Sequence, residues 1–107
     1  MRKFIDHMKS SSNHGKGLRQ EEAGDYEGAL HYFKQSLVFA EKCDDETLIP
    51  FELEAVARIY FKMGSLDNAE NMAKRSLTKF EEIKHYGIAI QDSIKRVRLL
   101  LESILSE

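Results

Sequence analysis

Apolar residues recur every three or four positions along most of the chain, which is the spacing of one face of an α-helix. Between residues 25 and 42 the apolar stripe consists of Tyr26, Ala29, Leu30, Phe33, Leu37 and Ala40. A second stripe, between residues 66 and 80, consists of Leu66, Ala69, Ala73, Ser76, Leu77 and Phe80. Both segments are therefore predicted to be amphipathic helices that bury one face.

A third helix is predicted between these two. Leu53, Val56, Ala57 and Tyr60 fall on one face, and Pro50 is suited to a first turn because its missing N–H is not needed there. The helix is expected to start at 47 or 49. Residues 44–46 are acidic and form either the preceding connection or the first turn.

The two ends of the chain differ in regularity. A closing helix over about 86–105 carries a narrow apolar seam made of Ile90, Ile94, Val97, Leu101 and Ile104, with Leu100 and Leu105 beside it. At the N-terminus, Phe4, Ile5, Met8 and Leu18 supply apolar anchors, but the run from Ser10 to Gly15 is polar. We predict a first helix that frays, breaks or bends in this run.

The two stripes belong to two copies of one pattern, 40 residues apart. Gly24 and Gly64 begin the copies, and each is expected to end a helix because glycine takes the left-handed conformation of a C-terminal cap at little cost. Asp25 and Ser65 follow as expected caps of the next helix. The later matching positions are Ala29 with Ala69, Ser36 with Ser76, and Leu37 with Leu77. Two helical hairpins and a closing helix are predicted.

These residues give the sequence a resemblance to the tetratricopeptide-repeat (TPR) family. The stretch that runs from Leu53 through Gly64 and Ala69 to Leu77 resembles one repeat, and Gly24 to Leu37 resembles the second half of another. The spacing exceeds the usual repeat of about 34 residues, so the chain is similar to the longer, kinesin-light-chain type. Lys16 and Gln20 depart from the pattern, because apolar or aromatic residues are expected there.

The resemblance implies an all-α fold in which antiparallel helical hairpins stack as a short superhelix. One domain over 1–107 is expected, with repeat one at about 10–43, repeat two at about 47–83 and the closing helix at about 86–105.

The resemblance also implies a protein–protein interaction module whose first helices line a concave groove for a peptide or helix of a partner. By register, the groove candidates of the second repeat are Phe51, Glu54, Ala55, Arg58, Phe61 and Lys62. Those of the first repeat are Ser11, His14, Leu18, Glu21 and Glu22. The lysines and asparagines with which some members clamp a chaperone tail are absent from the matching positions, so we do not expect that partner.

Several candidates have a second interpretation. Phe51 and Phe61 are either exposed binding residues or core. Glu54 and Arg58 are either partner-binding residues or a surface pair one turn apart. The whole chain has an alternative as well. Two hairpins are fewer than the three repeats usually needed for stability, so the chain is alternatively a structural unit that forms a homodimer through its C-terminal helix.

Composition narrows the function classes. The net charge of −2 does not favour nucleic acid, and the basic residues of 95–98 are expected to be a solvated face. With Cys43 as the single cysteine and no apolar run of signal or membrane length, a cytoplasmic protein without membrane contact is expected. His7, His14, His31 and His85 show no metal-ligand spacing, and no catalytic motif occurs. Neither cofactor, metal nor enzymatic activity is therefore expected.

Overall fold

The computed structural model describes residues 2–107. Within that range the chain is all-helical, as its periodicity predicted. The elements are α1 (Arg2–Glu22), α2 (Tyr26–Lys42), α3 (Leu48–Lys62), α4 (Leu66–Glu82), a short 3₁₀ turn (Lys84–Tyr86) and α5 (Ile88–Leu105). None of the helices in the described range is long and apolar enough to cross a membrane.

Each helix packs against the next one along the chain, and α3 is the central element. One core cluster joins α2 to α3, and its buried members are Ala29, Phe33, Ala55, Val56 and Ile59. A second cluster joins α3, α4 and α5, with Phe80 and Val97 completely buried. Because α3 contributes to both clusters, its side chains are buried over most of its circumference.

The two predicted glycine turns are confirmed. Gly24 and Gly64 both have φ of +80°, the left-handed region that favours glycine. After α1, the N–H of Asp25 donates to the Gln20 carbonyl at 2.9 Å. The matching bond after α3 also measures 2.9 Å and runs from Ser65 to Tyr60. Each pair of helices therefore turns through the same Schellman geometry.

The helix starts agree in part with the caps expected from the sequence. The carboxylate of Asp25 accepts from the Gly28 N–H at 2.9 Å, but Ser65 makes no such bond, because its hydroxyl accepts from the side chain of Asn68 instead. Asp45 lies in the connection before α3 and accepts from the Leu48 N–H at 3.1 Å. Burial opposes ionisation of Asp45, but the hydrogen bonds from Thr47 and Leu48 outweigh it and lower its pKa.

Serine hydroxyl groups join the two helices of each pair at matching positions. Ser36 Oγ donates to the carbonyl oxygen of Ser10 at 2.7 Å, and Ser76 Oγ donates to that of Pro50 at 2.8 Å. Both bonds span 26 residues. A small side chain whose hydroxyl bonds a backbone carbonyl lets two helices approach closely without leaving a buried polar group unpaired.

The prediction of a break between Ser10 and Gly15 is wrong, because α1 continues through this run without interruption. Ser10 is buried, and its hydroxyl donates to the Ser36 carbonyl at 2.9 Å. Gly17 lies so close to α2 that an added Cβ would stand 2.7 Å from a ring carbon of Phe33. The small residues of α1 are thus its packing face against α2, and this packing stabilises a helix that its own sequence favours weakly.

The seam of the closing helix packs inside the chain. Ile90, Ile94, Val97 and Ile104 are buried in the second core cluster, and Leu101 is half-buried against it. The seam is therefore largely covered by α3 and α4 of the same chain. The exposed large apolar residues of α5 are Ile88, Leu99 and Leu105. A homodimer through this helix stays a prediction, and it would have to use those residues.

Candidate functional site

A cavity of about 550 Å³ opens between α1, α3 and α5. Its apolar wall consists of Leu18, Leu48, Phe51, Ala55 and Leu100, and its polar lining consists of Ser11, His14, Glu52, Glu54, Arg58 and Arg96. Only α1, α3 and α5 supply lining residues, whereas α2 and α4 pack on the other side of α3. The cavity is thus a groove with α3 as its floor and α1 and α5 as its walls.

The structure brings most of the groove candidates together. Ser11, His14, Leu18, Phe51, Glu54, Ala55 and Arg58 all line this cavity. Glu21, Glu22, Phe61 and Lys62 do not line it. Glu21 and Lys62 form an ion pair at the end of α1 and α3, and Glu22 is exposed. The use of these residues in binding stays a prediction.

The two phenylalanines have different surroundings. The ring of Phe51 packs edge-on against Phe80, with 4.9 Å between ring centroids, and it also lines the cavity. Phe51 therefore belongs both to the core and to the groove. Phe61 is half-buried against the same core cluster and lies away from the cavity.

Glu54 pairs across the groove with α5. The side chain is only 8% exposed, and its carboxylate accepts from Nε and Nη2 of Arg96, the latter at 2.7 Å. This hydrogen bonding raises the pKa of Arg96. The predicted surface pair of Glu54 with Arg58 is therefore wrong. A buried carboxylate needs a partner that can contact both oxygens, and Arg96 supplies that fork.

Arg58 pairs in the opposite direction, with α1. Its Nε and Nη2 each donate to the carboxylate of Glu21 at 2.8 Å, and Lys62 Nζ adds a third bond at 2.7 Å. The hydrogen bonds from Arg58 are the main reason that the pKa of Glu21 falls to about 2, against the opposing effect of burial.

A third polar contact joins α1 to α3 in the middle of the groove. His14 Nδ1 lies 2.8 Å from the carboxylate of Glu52, whose side chain is 4% exposed. The His14 ring also rests near Phe33, with 5.2 Å between ring centroids. Together with the pairs of Glu21 and Glu54, this contact fixes the floor helix to both walls and so sets the width of the groove.

Four lining residues were not anticipated as groove residues. In the sequence, Arg96 is recognisable only as one of a cluster of basic residues. Its ion pair with Glu54 depends on the packing of α5 against α3. Leu100 was predicted to lie beside the apolar seam of α5, but the sequence did not indicate which helix it would face. Leu48 and Glu52 belong to the first two turns of α3. The signal for Glu52 is its contact with the predicted groove residue His14.

Chemically, the groove offers apolar surface and paired charges. Over residues 2–107 there is no group of three or more metal-ligating histidine, cysteine or acidic side chains. No protein-family model, curated protein or solved structure matches the chain.

Proposed function

We propose that this chain is a non-catalytic protein–protein interaction module of TPR-like architecture. The groove between α1, α3 and α5 receives a peptide or a helix of a partner protein. The observation that carries the proposal is the cavity of about 550 Å³, which draws its lining from alternate helices of the stack.

The repetition of structural detail supports the TPR-like part of the proposal. Gly24 and Gly64 adopt the same backbone conformation, and Ser36 and Ser76 make the same bond to the preceding helix. Stacked hairpins with equal internal geometry place their first helices side by side, and this produces a concave surface.

The lining supports recognition of a peptide. A volume of this size lies within the range of about 300–1,000 Å³ that suits organic ligands, which is room for a few inserted side chains. Phe51 and Ala55 form an apolar floor, and Leu18 and Leu100 stand at the walls. An aromatic residue in a desolvated pocket is the usual anchor of a binding site.

The pairing of the carboxylates favours binding over catalysis by these groups. Glu52 and Glu54 are each held by a cation or imidazole, and Arg58 is held by Glu21. Carboxylates that are engaged in this way stabilise the fold and are poor general bases, because a base must be able to reach its substrate proton. The groove therefore acts by shape, apolar contact and charge.

A random peptide library tests the proposal, with each displayed peptide attached through its C-terminus. The enriched peptides are titrated against the native protein and against two variants, Leu18→Asp and Leu99→Asp. Leu18 is 41% exposed and Leu99 63% exposed, so both variants should fold, but only Leu18 lines the groove. We expect the first variant to bind at least about tenfold more weakly, which corresponds to about 1.4 kcal/mol, and the second to bind normally. Failure to enrich any peptide, or equal binding by both variants, would refute the proposal that the groove binds peptides.

A further inference from the structure

We infer that the groove selects a partner segment in which an apolar side chain lies next to the side-chain carboxylate of an aspartate or glutamate. This inference rests on the proposed function and specifies the chemistry of its partner. It follows from which hydrogen-bonding groups of the groove already have a partner and which donors have no acceptor.

The acidic groups of the groove are buried and already paired. Among the lining residues, the side chains of Glu52 and Glu54 are 4% and 8% exposed, and that of Glu21, which lies outside the cavity at the end of α1, is 11% exposed. Each of them accepts hydrogen bonds from a cationic or imidazole side chain of the neighbouring helix. Among the lining residues of the cavity, no carboxylate is therefore left without a partner for a basic segment to bind.

The two arginines of the groove reach solvent. The side chains of Arg58 and Arg96 are 31% and 53% exposed. Each uses Nε and Nη2 for its own carboxylate, and Nη2 of Arg96 also donates to Ser93 Oγ at 3.1 Å. Within residues 2–107, no group accepts a hydrogen bond from Nη1 of either arginine. A guanidinium group has five N–H donors, so both residues keep donors for an incoming acceptor.

The apolar wall and these donors line one cavity, and this combination defines the partner. A purely apolar segment would cover Phe51, Ala55 and Leu100, but it would also remove the arginine N–H groups from water without a partner, which is costly. A basic segment would supply no acceptor for these donors. A carboxylate beside an apolar side chain satisfies the donors with charge-assisted bonds.

The displayed peptides test this selection directly. We expect the enriched sequences to combine a large apolar residue with aspartate or glutamate. Synthetic peptides with amidated C-termini are then compared as acid and amide pairs, glutamate against glutamine. The amide should bind the native protein roughly tenfold more weakly, as expected for one charge-assisted hydrogen bond. The difference should shrink as salt increases.

A matched pair of double variants locates the effect. Glu54→Gln with Arg96→Gln removes the pair inside the groove without leaving a lone buried charge, and it should reduce the difference between acid and amide peptides. Glu81→Gln with Arg98→Gln removes an exposed pair of 2.7 Å between α4 and α5, outside the cavity, and it should leave the difference unchanged.

The outcomes separate the two proposals. Equal binding of acid and amide peptides, or enrichment of basic peptides, would overturn the inference and leave the binding role of the groove in place. If no peptide is enriched, both the inference and the proposed function fail.

Discussion

Ser76 Oγ donates a hydrogen bond of 2.8 Å to the carbonyl oxygen of Pro50 and so joins α4 to the first turn of α3. Ser36 makes the equivalent bond to Ser10, 40 residues earlier in the chain. These two bonds give a structural role to a serine that the sequence pattern placed within an apolar stripe. Because both bonds join residues that are 26 positions apart, the two helices of each pair are aligned in the same way.

The first prediction concerns this bond. Ser76→Ala should lower the free energy of unfolding by about 1 kcal/mol, since it removes a buried hydrogen bond to a backbone carbonyl. Urea denaturation measures the change. Ser103→Ala is the control, because Ser103 is exposed and bonds only within its own helix. A loss for Ser76→Ala no larger than that of the control would show that the bond does not hold α4 to α3.

Two glycines of α1 provide a second, matched prediction. An added Cβ at Gly17 would press on the Phe33 ring, whereas one at Gly15 would meet only the end of the Arg19 side chain at 3.8 Å. Gly15→Ala should therefore stabilise the protein by up to about 1 kcal/mol through helix propensity. Gly17→Ala should destabilise it by about 1–3 kcal/mol because of overpacking. Thermal unfolding compares the two, and equal shifts would contradict the close contact of α1 with α2.

The third prediction is a pH dependence. Because the pKa of Glu21 is about 2 in the folded chain against an ordinary value of 4.5, its ion pair stabilises the fold at neutral pH. That contribution is complete above pH 4.5 and is lost as the pH falls toward 2. After allowance for solvent screening it should amount to about 1–2 kcal/mol.

Glu21→Gln isolates this effect. The variant should be less stable than the native protein at pH 7, and the difference should narrow as the pH falls from 4.5 to 2. Urea titrations at several pH values measure it. A stability gap that does not change with pH would mean that the Glu21 carboxylate gains nothing from Arg58 and Lys62.

The fourth prediction separates folding from self-association. Val97 is completely buried, so Val97→Asp should unfold the chain by placing a charge in the core. Leu99 is 63% exposed, and Leu99→Asp should leave the fold intact. If the chain forms a homodimer through α5, solution mass across a dilution series should show a dimer that Leu99→Asp or Ile88→Asp weakens. An unaltered dimer in both variants would exclude the exposed face of α5.

The helices and turns that depend on neighbouring residues were predictable from the spacing of apolar residues and glycines. The glycine turns at 24 and 64 and the buried stripes of α2 and α4 depend on residues that lie close together in the sequence. The continuity of α1 did not follow in this way. Its polar run is held by Ser36 and Phe33 on the next helix, and a contact of that kind is invisible to a scan for helical periodicity.

The groove was predictable in outline only. The register of the resemblance predicted that His14, Leu18 and Ala55 line a groove, and all three line the cavity between α1, α3 and α5. It left the choice of charge partners open. Glu54 had a candidate partner four residues away in Arg58, yet it pairs with Arg96, which is 42 residues distant. Which of two arginines a buried glutamate selects depends on how α5 packs, and this information lies in the tertiary structure.

Mapping of amide chemical shifts tests whether a peptide binds in the groove. The native protein, labelled with ¹⁵N, is titrated with an enriched acidic peptide. We predict that the perturbed amides cluster on the lining segments of α1, α3 and α5, including those of Leu18, Ala55 and Leu100. Perturbations concentrated on the outer surfaces of α2 and α4 would show that the peptide binds outside the groove.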